Sequence, residues 1–339
     1  MLPAIDDDRR DRGRGVRIVA TGAAVPGMRL EAEELDRQLG LRVGTSQRQT
    51  GIQSRFLSTD ETASQLAATS CREALERSGR SWDEVDCLVA ASATMDQALP
   101  FNAAMIHAEL GLEMQRTTTF DIGASCLSFL TALDVCSVLV DAGRFRRVMI
   151  VSADISTFTT DRSDLRTNGI FGDGAAACLI EKSKEGEAAI LASEMITLSE
   201  GVRYCQIQAG GSRFHRRVAG SKGEALFEMK PRPLYALVAR ELPGFVARLL
   251  GKAGVGMDEI DLVVPHQASH LGLQHLQRLL GIDRERMVNI SATHGNQVGA
   301  SLPTALHYGL SGGKVARGSK ILLLGSGAGV TIGGMVLIY

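Results

Sequence analysis

The chain has 339 residues, 45% of them apolar, and its 37 Lys and Arg nearly cancel its 38 Asp and Glu for a formal net charge of −1. That length suits roughly two domains or one large duplicated unit, and the apolar share supplies a sizeable core. Balanced charge and an aromatic share of only 4% argue against a nucleic-acid binder, which needs a basic face and stacking rings; no apolar run reaches the roughly 18 residues of a membrane span.

The chain opens on a mixed-charge run, Asp6–Asp7–Asp8–Arg9–Arg10–Asp11–Arg12, so residues 1–14 read as a charged, disordered tail and not a signal peptide. Val16–Ala20 is a short strand ending in Thr21–Gly22, residues 31–39 are helical, and polar Val43–Arg55 reads as loop. A helix over Ala63–Arg77 closes at Gly79, and Val85–Ala91 is a buried strand. Residues 102–110 form a helix ending at Gly111, and 117–122 form a strand. A helix then runs from Cys126 to about Asp141, followed by a strand at Arg147–Ser152 and a polar loop at 154–169. Phe171–Gly172–Asp173–Gly174 turns into a strand at Ala175–Ile180, and Lys182–Glu187 is the best linker. Phe171–Gly172–Asp173–Gly174 lacks the Lys and Ser/Thr of a phosphate loop.

The second half repeats the first. Ser81–Trp82–Asp83–Glu84–Val85–Asp86–Cys87–Leu88–Val89 is echoed by Gly256–Met257–Asp258–Glu259–Ile260–Asp261–Leu262–Val263–Val264, and Leu110–Gly111–Leu112 by Leu280–Gly281–Ile282. In the same order, strand 119–122 matches 287–290, the Cys126 helix matches one near 297–311, and strand 147–151 matches 320–324. The reading is an α/β protein of two duplicated halves, 15–182 and 188–339, their sheets packed through central helices.

Six cysteines (71, 87, 126, 136, 178 and 205) are scattered, with no CxxC pair and no histidine at ligand spacing, so the expectation is reduced thiols, a cytoplasmic protein and no metal site. Cys126 stands apart. It follows a strand and a tight turn of small residues and opens a helix, where free N–H groups and the helix dipole favour thiolate. An ordinary buried cysteine is the competing reading. Ligands of open α/β sheets gather beyond the carboxyl ends of strands. Besides Cys126, two such ends carry polar side chains: His266 after Ile260–Pro265, and Asn296 after 287–290. His266 also suits a strand cap, and Asn296 a left-handed turn. An approximate two-fold between the halves would bring all three together.

With Cys126, Pro265–His266–Gln267–Ala268 and His294–Gly295–Asn296 in place, the chain resembles the ketoacyl-acyl-carrier-protein synthase III family of the thiolase superfamily from about Val16 to its carboxyl terminus. Gln49–Thr50–Gly51–Ile52, Phe171–Gly172–Asp173–Gly174 and the glycine turn Gly325–Ser326–Gly327–Ala328–Gly329 belong to the same pattern. The resemblance implies a thiolase-like five-layered αβαβα fold, a homodimer, and decarboxylative Claisen condensation on thioesters of CoA or acyl carrier protein, without a cofactor. It implies that Cys126 takes the acyl group and that His266 and Asn296 hold the malonyl enolate oxygen. The backbone N–H groups of Cys126, Gly327, Ala328 and Gly329 become the second oxyanion hole.

Departures from the family pattern bear on substrate. Thr45 and Gln49 stand where many relatives carry the tryptophan and arginine that grip adenine, and Ser269–His270–Leu271 lacks an arginine common there. Ser326 replaces an aromatic residue and Leu99 a bulky gate, which implies a roomier acyl pocket, of which Phe171 is the third expected residue. The segment around 199–232 is read as a substrate and dimer loop; its Arg213, Arg216 and Arg217 suit docking of an acidic carrier protein, or form a merely solvated charge run. Three other readings compete: acyl transfer from Cys126 to a hydroxyl or amine, a cysteine thioester hydrolase using Cys126 and His266, and a silent partner subunit. The first needs a general base that Asn296 cannot be.

Overall fold

Two sheets, one from each half of the chain, repeat the same strand order. The structure is a computed structural model and describes residues 13–184, 189–212 and 225–339. The first sheet contains β1 (Val16–Ala24), β2 (Cys87–Ala90), β3 (Thr118–Asp121), β4 (Arg147–Asp154) and β5 (Gly174–Lys182), in the order β1-β5-β4-β2-β3. The second contains β6 (Ile190–Thr197), β7 (Leu262–Pro265), β8 (Lys320–Gly327) and β9 (Thr331–Ile338), in the order β6-β9-β8-β7. β2 pairs parallel with β4, and β5 runs antiparallel to both β4 and β1. The second sheet copies this: β7 and β8 are parallel, and β9 is antiparallel to β8 and β6. β2 and β7 are buried along their whole length, as strands covered on both faces must be.

The helices α1 (Ala63–Ser78), α2 (Asn102–Glu109), α3 (Ser128–Asp141), α4 (Pro231–Ala253), α5 (His270–Leu280) and α6 (Ser301–Ser311) complete five layers. α1 and α2 cover the outer face of the first sheet, and α4 and α5 that of the second. α3 and α6 lie between the sheets, where Phe129, Leu130 and Leu133 share one core with Leu302, Ala305 and Leu306. Both central helices are apolar beyond a single stripe, which a helix sandwiched between sheets requires.

The duplication extends to atomic detail at the entrances of α3 and α6. Each follows a 3-10 turn, Ser125–Leu127 and Val298–Ala300. Ser125 and Val298 both adopt φ 52°. The Ala124 N–H donates to Ser128 Oγ at 2.8 Å, and the Gln297 N–H donates to Ser301 Oγ at 2.8 Å. Gly299 thus occupies the position that Cys126 holds in the first half.

The structure departs from the sequence expectation in several places. Residues 287–290, expected as a strand equivalent to β3, pair only through a Val263–Met287 bridge. The Gln267 side chain stands in for the ladder, donating to the Val288 carbonyl at 3.2 Å and accepting the Ile290 N–H at 2.9 Å. Val43–Arg55, expected as loop, holds a helix, Thr45–Thr50, and part of a strand, Ser54–Leu57. The helix is nucleated from upstream: the Asp36 carboxylate accepts the N–H groups of Gly44, Thr45 and Ser46 at 2.7, 3.0 and 2.8 Å. It ends at Gly51, whose φ of 75° and packing against the His270 ring, 2.4 Å from any added Cβ, both demand glycine. The 154–169 segment, also expected as loop, carries a short helix at Leu165–Asn168 whose start is capped by Asp164. Of the expected tail, residues 1–12 lie outside the described residues; Arg14 is held by a bridge to Ile190 and an ion pair to Asp134 at 2.7 Å. Among the described residues no helix is long and apolar enough to cross a membrane.

Candidate active site

The strand-end side chains singled out in the sequence open on one cavity of about 480 Å³, lined by Cys126, His266, Asn296, Ser326, Gly327 and Ala328 among others. Cys126 comes from the 3-10 turn before α3, His266 from the end of β7, and Asn296 from the loop before α6.

Against the helix-dipole expectation of a thiolate, burial, then Cys205 and the Asp154 carboxylate, push the Cys126 pKa up to about 12, opposed by the Ala328 and Cys126 N–H groups. Asp154 is wholly buried and ties the halves together. Its carboxylate accepts the Ala93 and Thr94 N–H groups at 2.9 and 2.6 Å and the Ala300 N–H at 3.0 Å. Burial raises its own pKa to about 6 despite those donors.

His266 is 5% exposed, and burial pushes its pKa down to about 4, so the imidazole is neutral near pH 7. Its backbone N–H donates to the Leu324 carbonyl at 2.8 Å, and its buried Nδ1 has no hydrogen-bond partner. A proton on Nε2 makes the ring a donor without adding charge.

Asn296 is held from two sides. Its Oδ1 accepts the Val298 N–H at 2.9 Å and the Ser301 hydroxyl at 3.2 Å, while Nδ2 donates to the Ala268 carbonyl at 3.2 Å. An amide nitrogen carries two N–H donors, so one remains for the cavity. Its backbone bridges Phe171: the Gly172 N–H donates to the Asn296 carbonyl at 3.0 Å, and the Asn296 N–H to the Ile170 carbonyl at 2.8 Å. The Phe171–Gly174 motif, which turns into a strand as expected, therefore also anchors Asn296 from the other half. A Cβ on Gly172 would lie 2.2 Å from the His294 carbonyl oxygen.

Residues 120–199 match the family described as 3-oxoacyl-[acyl-carrier-protein] synthase III, and residues 250–339 match its C-terminal family. The beta-ketoacyl-[acyl-carrier-protein] synthase III of Aquifex aeolicus (strain VF5) is 31% identical over 96% of this chain and 100% of its own length. The chain belongs to the synthase III family. Among solved structures, the 3-oxoacyl-[acyl-carrier-protein] synthase III of Aquifex aeolicus VF5 has a TM-score of 0.86 at 29% identity, covering 96% of this chain and all of its own. The synthase III of Pseudomonas aeruginosa PAO1 has a TM-score of 0.86 at 28% identity, covering 96% and 98%. The five-layered αβαβα architecture expected from the resemblance is thus the fold of this synthase III chain.

Two expected site residues lie elsewhere. Leu99 is 82% exposed and does not line the cavity of its own chain; it sits on a surface loop, so a gate role within the chain fails. Gly329, with φ 86°, falls outside the lining, where Gly327 and Ala328 supply the turn's contribution. Phe171 and Ser326 do line the cavity. Arg213, Arg216 and Arg217 lie outside the described residues, and the described ends of the 199–232 segment contribute Cys205, Phe227 and Met229 to the cavity wall. Sequence reasoning missed Cys205 and the wall built by α4 and α5; the helical stripe Leu234, Val238, Leu242 was the available signal. Among the described residues no cluster of His, Cys, Asp or Glu is arranged to hold a metal.

Proposed function

We propose that this synthase III family enzyme makes a carbon–carbon bond between an acyl group carried on Cys126 and a malonyl-type thioester. In the first step the Cys126 sulfur attacks an acyl thioester and the carrier thiol departs with the proton. One thioester is exchanged for another, and the proton that the Cys126 sulfur loses on becoming the attacking thiolate passes to the departing carrier sulfur. The backbone N–H groups of Cys126, Gly327 and Ala328 are the proposed donors to the tetrahedral oxyanion. In the second step the malonyl thioester loses carbon dioxide, and its electron pair becomes an enolate. The enolate carbon attacks the acyl carbonyl, and the Cys126 thiolate leaves and is reprotonated. The released product is a 3-oxoacyl thioester. Loss of carbon dioxide supplies the carbanion, so these steps need no cofactor.

The observation that carries this reading is that a neutral histidine and an anchored asparagine amide open on the same cavity as Cys126. Both offer N–H donors where the enolate charge would form, and a site for acyl transfer to a hydroxyl would need a stronger base than a histidine of pKa about 4. A carrier-protein or CoA donor, docking through Arg213, Arg216 and Arg217, belongs to the proposal. So does a homodimer, supported by the exposed apolar side chains Met95, Leu99 and Phe101 on one loop. The six free cysteines fit a reducing, cytoplasmic setting.

Mass spectrometry of the protein with acyl thioesters tests the reading. The expected result is an acyl adduct on Cys126 that malonyl thioester discharges; discharge by water, an alcohol or an amine alone would overturn it.

A further inference from the structure

We infer that Tyr308 is a positioning residue for condensation: through His294 it holds the Asn296 amide in place on the cavity wall. The inference rests on the condensation reading above and extends it to side chains outside the cavity, for neither Tyr308 nor His294 lines it. His294 ends a single turn of helix, Ser291–His294, two residues before Asn296, and Tyr308 lies on α6.

The His294 ring is held on both of its nitrogens. Nε2 lies 3.2 Å from the Tyr308 hydroxyl, and Nδ1 lies 2.9 Å from Thr293 Oγ1. Burial pushes the His294 pKa below the usual histidine range, so the ring is neutral near pH 7, with one donor and one acceptor nitrogen. A hydroxyl serves in either role, so Tyr308 and Thr293 satisfy both nitrogens and fix the plane of the ring. Packing adds to the grip. The Tyr308 ring meets it edge to face at a centroid distance of 5.0 Å, and the Phe56 ring, on the strand Ser54–Leu57, lies at 5.5 Å.

From His294 the constraint passes along the backbone. Gly295 adopts φ 67° and ψ −159°, a region that only glycine enters readily, and a Cβ there would lie 2.8 Å from the Ile170 carbonyl oxygen. The turn that carries Asn296 is therefore pressed against the 170–172 loop on one side and steadied by the His294 ring on the other. α6 grips this turn at two points. One is direct, the Ser301 hydroxyl donating to Asn296 Oδ1 at 3.2 Å. The other is Tyr308, seven residues and roughly 10.5 Å further along the helix. With the second point gone, the turn can pivot about the first, and the amide N–H that faces the cavity moves with it. A misplacement of about 1 Å at a reacting centre costs on the order of 100-fold in rate, so a pivot of roughly half that is expected to cost about tenfold.

The test is the single-turnover discharge of acyl-Cys126 by malonyl thioester, measured on the full chain for Tyr308→Phe and His294→Ala, each alone and combined with Asn296→Ala. Tyr308→Phe keeps the ring contacts and removes one hydroxyl from a side chain that is 41% exposed, so the fold is expected to survive. With Asn296 present, Tyr308→Phe is expected to lower the maximal discharge rate about tenfold. The half-saturating malonyl concentration and the rate of Cys126 acylation are expected to stay within about twofold of wild type, as for the loss of an interaction made only in the transition state. In the Asn296→Ala background neither substitution is expected to slow discharge further, because the amide through which both act is gone. Equal losses in the two backgrounds overturn the inference, since a merely structural role slows both alike. Unchanged discharge in Tyr308→Phe overturns it too, whatever His294→Ala does, and so does a fall in acylation that matches the fall in discharge. Each of these results leaves the condensation reading intact as long as malonyl thioester discharges the wild-type adduct; a wild type that is not discharged overturns both.

Discussion

Gly172 and Asn296 are joined backbone to backbone across the two halves, the Gly172 N–H donating to the Asn296 carbonyl at 3.0 Å. This fixes a residue of the second half by a loop of the first, and the approach leaves no room for a side chain. A Cβ on Gly172 would press on the His294 carbonyl at 2.2 Å. Gly172→Ala is expected to cost about 1–3 kcal/mol of stability, the usual range for forced overpacking. Gly123, where an added Cβ meets nothing within 4 Å, is the control, and its alanine variant should stay within about 0.5 kcal/mol of wild type. Urea denaturation of both variants checks this.

Asn296→Asp separates the two chemical steps. An aspartate can still accept from the Val298 N–H and the Ser301 hydroxyl, but it loses the N–H donors to Ala268 and to the cavity. Condensation is expected to fall about 100- to 1,000-fold, the usual effect of one lost oxyanion donor, while Cys126 acylation changes little. Single-turnover assays of each step measure the split; an equal loss in both would mean that Asn296 serves structure alone.

The resting state of Cys126 is open to a direct test. With a pKa near 12, set by burial and by Cys205 and Asp154, its alkylation by iodoacetamide is expected to accelerate about tenfold per pH unit from pH 7 to 10, following the thiolate fraction. Peptide mass mapping keeps Cys126 apart from Cys205. A plateau near neutral pH would restore the helix-stabilised thiolate.

His266 should leave a signature in pH-dependent stability. Its folded pKa of about 4 lies below the ordinary 6.5, so the unfolded chain binds the extra proton between those values. The stability it contributes is therefore fully present above pH 6.5 and lost as pH falls toward 4. At about 1.4 kcal/mol per pH unit between the two pKa values, the wild type should lose on the order of 3 kcal/mol relative to His266→Gln across that window. Asp154 runs the other way. Its folded pKa of about 6 lies above 3.8, so its contribution is present below pH 3.8 and lost as pH rises through 6; being common to both proteins, it cancels. Unfolding free energies of the two proteins at pH 4, 5.5 and 7 give the comparison, and a constant difference would contradict the buried, neutral imidazole.

Much of this architecture was legible in the chain because burial writes itself as pattern. β2 and β7 are continuous apolar runs, α1 ends on Gly79, and the paired Ser81–Glu84 and Gly256–Glu259 turns mark the repeat. Cys126, His266 and Asn296 stood out because each follows a strand end, and the repeat related those ends. What stayed hidden depends on contacts between distant residues. The Thr45–Thr50 helix is started by Asp36, and the missing fifth strand of the second sheet is replaced by one side chain, Gln267. The charge state of Cys126 is likewise a property of the assembled site: its own helix argues for thiolate, and burial beside Asp154 and Cys205 outweighs it.

The most direct test of the account is a single turnover of Cys126-acylated enzyme with malonyl thioester, with carbon dioxide and products counted together. One carbon dioxide and one 3-oxoacyl thioester are expected for each acyl group lost from Cys126. Release of the free acid with no carbon dioxide would contradict it.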